Sequence, residues 1–223
     1  MKRLFTYCIP YDDGAAPNPF WDVCTLNICK PAIRRNAKKG DWIVGTGSVK
    51  HGFQNKVVYA MEVTEILTMQ EYYTYCKSQL PKKIPNWQAK SYKEKVGDCI
   101  YNFSTEPIEI LKSVHNEVNR KRDLNGQFTL LSDHFYYFGN KPQQLPDHLL
   151  PIVHQGQGHK SVSNQPYLHD FVDWITTQIM AKNTVYSEPN LRAHLKSCED
   201  NLDKHSSCNQ NPKSLDETFI SKC

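Results

Sequence analysis

The stretch Pro31-Ala-Ile-Arg-Arg-Asn-Ala-Lys-Lys-Gly-Asp-Trp-Ile-Val-Gly-Thr-Gly-Ser48 is the strongest constraint on the fold. Proline suits the first turn of a helix, where its missing N–H costs little, and glycine suits the position just past the end, where a positive φ is often needed. Pro31 and Gly40 therefore bracket about two and a half turns of helix. Asp41 then opens a buried strand at Trp42, and Thr46-Gly47-Ser48 lets the backbone turn sharply or lie close to a ligand. A helix delivered straight into a buried strand specifies an α+β domain. On that helix Ile33 and Ala37 face the core, Lys30, Arg34 and Lys38 form one wet stripe, and Arg35 and Lys39 fall on the next.

Strand chemistry flanks this unit. Leu4–Ile9 is β-branched and aromatic and ends in the turn residues Pro10, Asp12, Asp13 and Gly14. Residues 56–67 form the strongest strand signal, with Val57, Tyr59, Met61 and Val63 alternating against Val58, Ala60, Glu62 and Thr64. Residues 69–77 read as a short amphipathic helix, and 128–131 and 135–138 as late strands. Alternation sets Tyr136 and Phe138 opposite Tyr137, so at least one of these aromatics is expected outside the core. Residues 80–96, lysine-rich and broken by Pro81 and Pro85, read as a mobile surface excursion. Helical apolar spacing over 167–180 closes the compact part. These features give one domain over 1–181 and a polar, partly disordered extension over 182–223.

Several function classes fall away on composition. No run approaches 18 apolar residues and mean hydropathy is -0.62, so no membrane partner is expected. The apolar stretch after Lys2 and Arg3 is too short for an export signal. Eight cysteines are dispersed without close pairs, which reads as reduced thiols in a cytoplasmic protein; Cys24 and Cys29 read as buried small side chains instead of zinc ligands. There is no Walker-type loop, nucleophile elbow or His-Glu-x-x-His helix, and neither a metal nor a cofactor is expected.

What remains is local. A net charge of +4 is mild, but Lys30 to Lys39 carries five bases and no acid. Aromatics such as Trp21, Trp42, Tyr59, Tyr101, Tyr136 and Tyr137 are of the kind that stack on unpaired bases, although the same residues build ordinary cores. His115, His134 and His159, with Asp123, Asp133 and Asp41, are the residues able to carry acid–base chemistry, though most lone histidines are structural.

Tyr11-Asp-Asp-Gly-Ala-Ala-Pro-Asn-Pro-Phe20, Cys24-Thr-Leu, Cys29-Lys-Pro-x-Ile-Arg-Arg35, Gly40-Asp-Trp-Ile-Val-Gly-Thr-Gly-Ser48 and Phe135-Tyr-Tyr-Phe-Gly139 together resemble the nucleotide modification associated domain 2 family over roughly residues 1–175. The resemblance implies a prokaryotic base-modification or phage-defence setting, and carries over Asp13, Asn18, Lys30, Arg34, Arg35, Asp41, Ser113, His115, Asp123, Tyr136 and His159. More remotely, the strand and helix order is similar to the PUA-like group (EVE, YTH and ASCH members), which implies a mixed β-barrel with flanking helices that accepts a modified base. On this reading Asn18, Lys30, Arg34, Arg35, Lys38, Ser48, Tyr59 and Tyr136 bind DNA or RNA, with the Lys30, Arg34, Lys38 stripe on the ligand and Trp42 supporting the barrel. The alternative is an enzyme of hydrolase or glycosylase type using His115, Asp123, His159 or Asp41. Oligomeric state is left open.

Overall fold

The computed structural model describes residues 1–178 and 181–190. Its strands are β1 (Leu4–Ile9), β2 (Cys24–Leu26), β3 (Trp42–Gly47), β4 (Lys56–Glu62), β5 (Glu65–Thr68), β6 (Tyr101–Asn102), β7 (Glu109–Ile110), β8 (Phe128–Ser132), β9 (Phe135–Tyr137), β10 (Gln143–Gln144) and β11 (Thr184–Val185). Its helices are α1 (Pro31–Asn36), α2 (Met69–Ser78), α3 (Tyr92–Lys95), α4 (Glu117–Leu124) and α5 (Leu168–Gln178). No described helix is long and apolar enough to cross a membrane.

The main sheet runs β1-β3-β4-β9-β11, with β10 pairing on β4; β1 lies parallel to β3, and β4 antiparallel to both β3 and β9. A second sheet runs β2-β8-β5, and β6 with β7 makes a third. One core lies on the main sheet's face that carries Phe5, Tyr7 and Ile9, and takes Leu26 and Leu130 from the second sheet and Ile33 from α1. The other face carries Leu4, Trp42 and Val44 and is covered by Leu149, Ile152, Phe171 and Ile175. Burial on both faces explains why β3 has no polar side.

Several expectations are corrected. The fold is α+β, but the β-barrel does not form: the sheets of the described residues are open. Strands β2, β5 and β8 pair with one another instead of closing the main sheet, which leaves β1 at an edge. The single strand expected over 56–67 divides, because β4 ends at Glu62 and β5 joins the second sheet. A bulge between Gly45 and Thr46 shifts the β4 register and places Val57 with Ala60 in one core and Val58 with Tyr59 in the other. All four of Phe135, Tyr136, Tyr137 and Phe138 are buried, since a strand covered on both faces has core on either side of its alternation.

The basic helix is also shorter than expected. Helix α1 stops at Asn36 because Ala37 is extended at ψ 148, and residues 38–40 turn around the Asp41 carboxylate. The 80–96 excursion is anchored by a fully buried lysine. Lys83 Nζ lies 2.9 and 2.8 Å from the backbone and side-chain oxygens of Asn18, 2.6 Å from Val23 O and 3.0 Å from Thr25 Oγ1. Burying an ammonium is costly unless its donors are met, and here all are. The thiols of Cys8, Cys24, Cys76 and Cys99 are free as expected, whereas Cys29 is disulfide-bonded. The part of the C-terminal extension beyond residue 190 lies outside the described residues.

Candidate functional site, a basic cleft at the edge of the main sheet

Strands β1 and β3 end side by side, with Ile9 opposite Gly47. From Gly47 the chain turns at Ser48, whose hydroxyl oxygen accepts the Lys50 N–H at 3.2 Å and so sets the tight turn over Val49–His51. The open edge of β1 is met from far along the chain. Thr6 and Lys160 exchange both backbone hydrogen bonds at 2.9 Å, which holds residues 153–160 against the strand. Between the two segments lies a cleft of about 220 Å3 lined by Cys8, Gly47, Ser48, Val49, Gln54, Val153, Gln155 and Gly156.

Of the sequence candidates, Ser48 lines the cleft, while Lys30 and His159 stand beside β1 against Tyr7 and Phe5. Lys30 has a left-handed backbone at φ 39, directly after Cys29 at φ 61. Left-handed residues other than glycine are uncommon, and strain of this kind concentrates where a side chain must be aimed. The Lys30 ammonium sits 4.3 Å from the centroid of the Tyr7 ring. Burial pulls its pKa down to about 8; the Cys8 sulfur opposes that shift and the Arg122 charge adds to it. Burial raises the Cys8 thiol, opposed by Lys30, the Gly156 N–H and the Ser48 hydroxyl. The His159 ring stands 5.7 Å from Phe5, its pKa lowered by burial, by His154 and by Lys30.

Charge in this region has one sign. Residues 1–11, 23–40, 42–61 and 148–169 supply the cleft and its surroundings and contain no aspartate or glutamate. Of the four acids between the first three segments, Asp12, Asp13 and Asp41 are 5, 7 and 1% exposed, and Asp22 faces solvent. Charges of one sign in a concave, partly dry site concentrate field lines toward a ligand of the opposite sign. A second groove of about 260 Å3, lined by Trp42, His134, Leu168 and Val172, lacks this character, because its Glu62 pairs with Lys2 at 2.8 Å and with His134 at 3.0 Å.

The other sequence candidates have structural positions. Arg34, on the expected ligand stripe, is wholly buried: Nε donates to Cys29 O at 2.8 Å, Nη1 to Phe128 O at 2.9 Å, and Nη2 to Asp123 O. Burial lowers its pKa to about 10 against the opposing pull of Asp123. The stripe therefore does not exist, and Lys38 lies beyond the end of α1, exposed like Arg35. Asn18, Tyr59 and Tyr136 are 0, 0 and 3% exposed and offer no stacking face. Asp41 is taken up by three donors of Arg3 and the Lys38 N–H, all within 3.1 Å. Asp13 accepts Ala15 N–H at 2.9 Å, and Ser113 bridges the backbone of His115.

His115 and Asp123 do form a pair, Nδ1 to Oδ2 at 2.5 Å, but both side chains are completely buried. Asp123 also accepts Cys29 N–H at 2.9 Å and Tyr101 OH at 3.1 Å. Burial works to raise its pKa, yet the His115 hydrogen bond and charge, with Cys29 N–H and Arg34, outweigh that and hold it below the usual carboxylate range. The pair is a buried clamp across α4 that also holds Cys29, just before α1; it is not a solvent-facing acid and base.

Sequence reading did not single out Cys8, Gln155 or Gly156. The signal was His154-Gln-Gly-Gln-Gly-His159, where two glycines between histidines mark a turn of unusual backbone; Gly156 and Gly158 have φ 89 and 95, with open space at the Cβ position of Gly156 and His154 Nε2 3.7 Å from that of Gly158. Among the described residues no three His, Cys, Asp or Glu side chains gather as a metal ion would need.

The fold and cleft define an α+β domain with a concave pocket at the edge of its main sheet. A family model described as nucleotide modification associated domain 2 matches residues 1–197, and the chain belongs to that family. No curated protein and no solved structure matches it.

Proposed function

We propose that the protein binds nucleic acid as a recognition module of base-modification machinery, receiving an unpaired, modified base or nucleotide in the cleft between Ser48 and Gly156. The observation that carries this reading is the concave site at the β1 edge: Ser48 lines it, Lys30 and His159 stand against Tyr7 and Phe5 of the same strand, and it is built from segments without a carboxylate. Its size suits a base or small nucleotide and excludes a duplex. Val49, 65% exposed, and Val153 offer apolar contact to a ring, while Gln54 and Gln155 present amides that both donate and accept along a base edge. On the rim Lys50 donates to Tyr11 OH at 2.8 Å with its ammonium 5.0 Å from that ring, a cation placed to follow a phosphate chain. The acid–base alternative loses support at His115, Asp123 and Asp41, which have no solvent-facing side.

Fluorescence polarisation with short labelled single strands of DNA and RNA, bearing plain or modified cytosine, tests the proposal. Two or three phosphates held by Lys30, Lys50 and Lys160 imply that affinity falls on the order of tenfold between about 50 and about 200 mM salt. Absence of binding to every strand at low salt would sink it.

A further inference from the structure

We infer that Lys30, Ser48 and the Gly156 N–H form an oxyanion subsite at the Cys8 end of the cleft, so that the nucleotide is held by a phosphate or carboxylate group as well as by its base. The inference deepens the proposed function and rests on it. Its grounds are the partners these donors now have. Cys8, Ser48 and Gly156 line the same cleft, and the Gly156 N–H and Ser48 hydroxyl both act on the Cys8 thiol. A neutral thiol is a weak acceptor, so both donors keep most of their hydrogen-bonding capacity for a stronger one. Lys30 makes no ion pair among the described residues; its ammonium rests on the Tyr7 ring, with the charge of Arg122 acting on it from α4. Neighbouring cations in a half-buried site repel each other, and an anion seated near Lys30 relieves that repulsion. Charge-assisted hydrogen bonds to an oxyanion are roughly twice as strong as neutral ones.

Two sources could supply the oxyanion: the phosphate of the nucleotide, or a carboxylate carried by the base itself. Isothermal titration of the whole protein with paired probes separates them. Each 2′-deoxynucleoside 5′-monophosphate is compared with its nucleoside, and 5-carboxy-2′-deoxycytidine with 2′-deoxycytidine. At least a tenfold advantage for one anionic member of a pair is expected, and that pair identifies the source. Lys30→Met should remove the advantage, Ser48→Ala should reduce it a few-fold, and Lys30→Arg should retain it.

The pH profile gives a readout that a folding defect does not mimic. The groups facing Lys30 are Cys8 and Tyr7 from β1, Arg122 from α4 and His159 from the segment beside β1. Burial raises both Cys8 and Tyr7, and His159 titrates below its ordinary range, which leaves Lys30, at about 8, as the group that changes charge in mildly alkaline solution. An anion favours protonated Lys30, so affinity for the anionic probe is fully present below about 8 and declines as pH rises through it. Lys30→Arg, charged throughout, should flatten the decline. Equal binding of charged and uncharged probes by the wild type, or an advantage that survives Lys30→Met, overturns the subsite. If single strands still bind in that case, the proposed function stands without it.

Discussion

Arg34 occupies the space that a side chain at Gly126 would fill: a Cβ built at residue 126 would overlap the guanidinium. The glycine after α4 and the arginine of α1 are thus a single packing unit, joined through three carbonyls from Cys29, Asp123 and Phe128. Gly126→Ala forces the guanidinium off those carbonyls and should cost about 1–3 kcal/mol, as overpacking does. Arg34→Met removes the donor to Cys29 O and Phe128 O, each worth about 1–3 kcal/mol, while Asp123 O keeps the Gly126 N–H, and should cost at least as much. Urea denaturation measures both. Nucleic-acid affinity of the folded fraction should change less than twofold in either, since Arg34 does not reach the cleft.

The His115–Asp123 clamp makes stability depend on acid. Because the folded-state pKa of Asp123 is lowered, its contribution is present above the ordinary aspartate value, about 4, and is lost as pH falls through the folded value. Asp123→Asn should destabilise the protein at neutral pH and flatten the acid limb of the stability curve. Thermal melts from pH 7 down to pH 3 test this, and parallel curves for the two proteins would contradict it.

Asp12 acts in the opposite sense. It is buried, accepts Tyr137 OH at 2.7 Å, and its pKa is pushed up to about 7, first by desolvation and further by Asp13, against the Tyr137 hydrogen bond. A carboxyl raised in the folded state contributes stability fully below its unfolded value, about 4, and loses it as pH climbs through about 7. The stability of wild type relative to Asp12→Asn should therefore decline between those two pH values and then level. A denaturation series across this window reads the difference directly.

How much of this was legible in the sequence depends on how local each cause is. The Trp42–Gly47 strand, the strand at Leu4–Ile9 and the helix α2 follow from patterns within a few residues. Arg34 does not: two of its three acceptors come from α4 and β8, about ninety positions away, and nothing near it marks it as buried. The 30/34/38 stripe failed because a left-handed Lys30 and an extended Ala37 shorten the helix, and neither conformation is written in apolar spacing. The aromatics at 135–138 misled because alternation distinguishes core from solvent only when one face of a sheet is wet. Lys30, Ser48 and His159 were singled out one by one on residue type; the Thr6–Lys160 bridge that gathers them is a tertiary contact.

The central claim is that nucleic acid meets the protein at the β1 edge, not on the exposed bases of α1 and the turn after it. Polarisation titrations of one labelled single strand with wild type, Lys30→Met and the double variant Arg35→Met/Lys38→Met separate the two surfaces. The account predicts that Lys30→Met weakens binding on the order of tenfold, as expected for a desolvated charge-assisted contact of about 1.5–3 kcal/mol, while the double variant changes it by no more than about twofold to threefold. Full affinity in Lys30→Met together with a large loss in the double variant would contradict it.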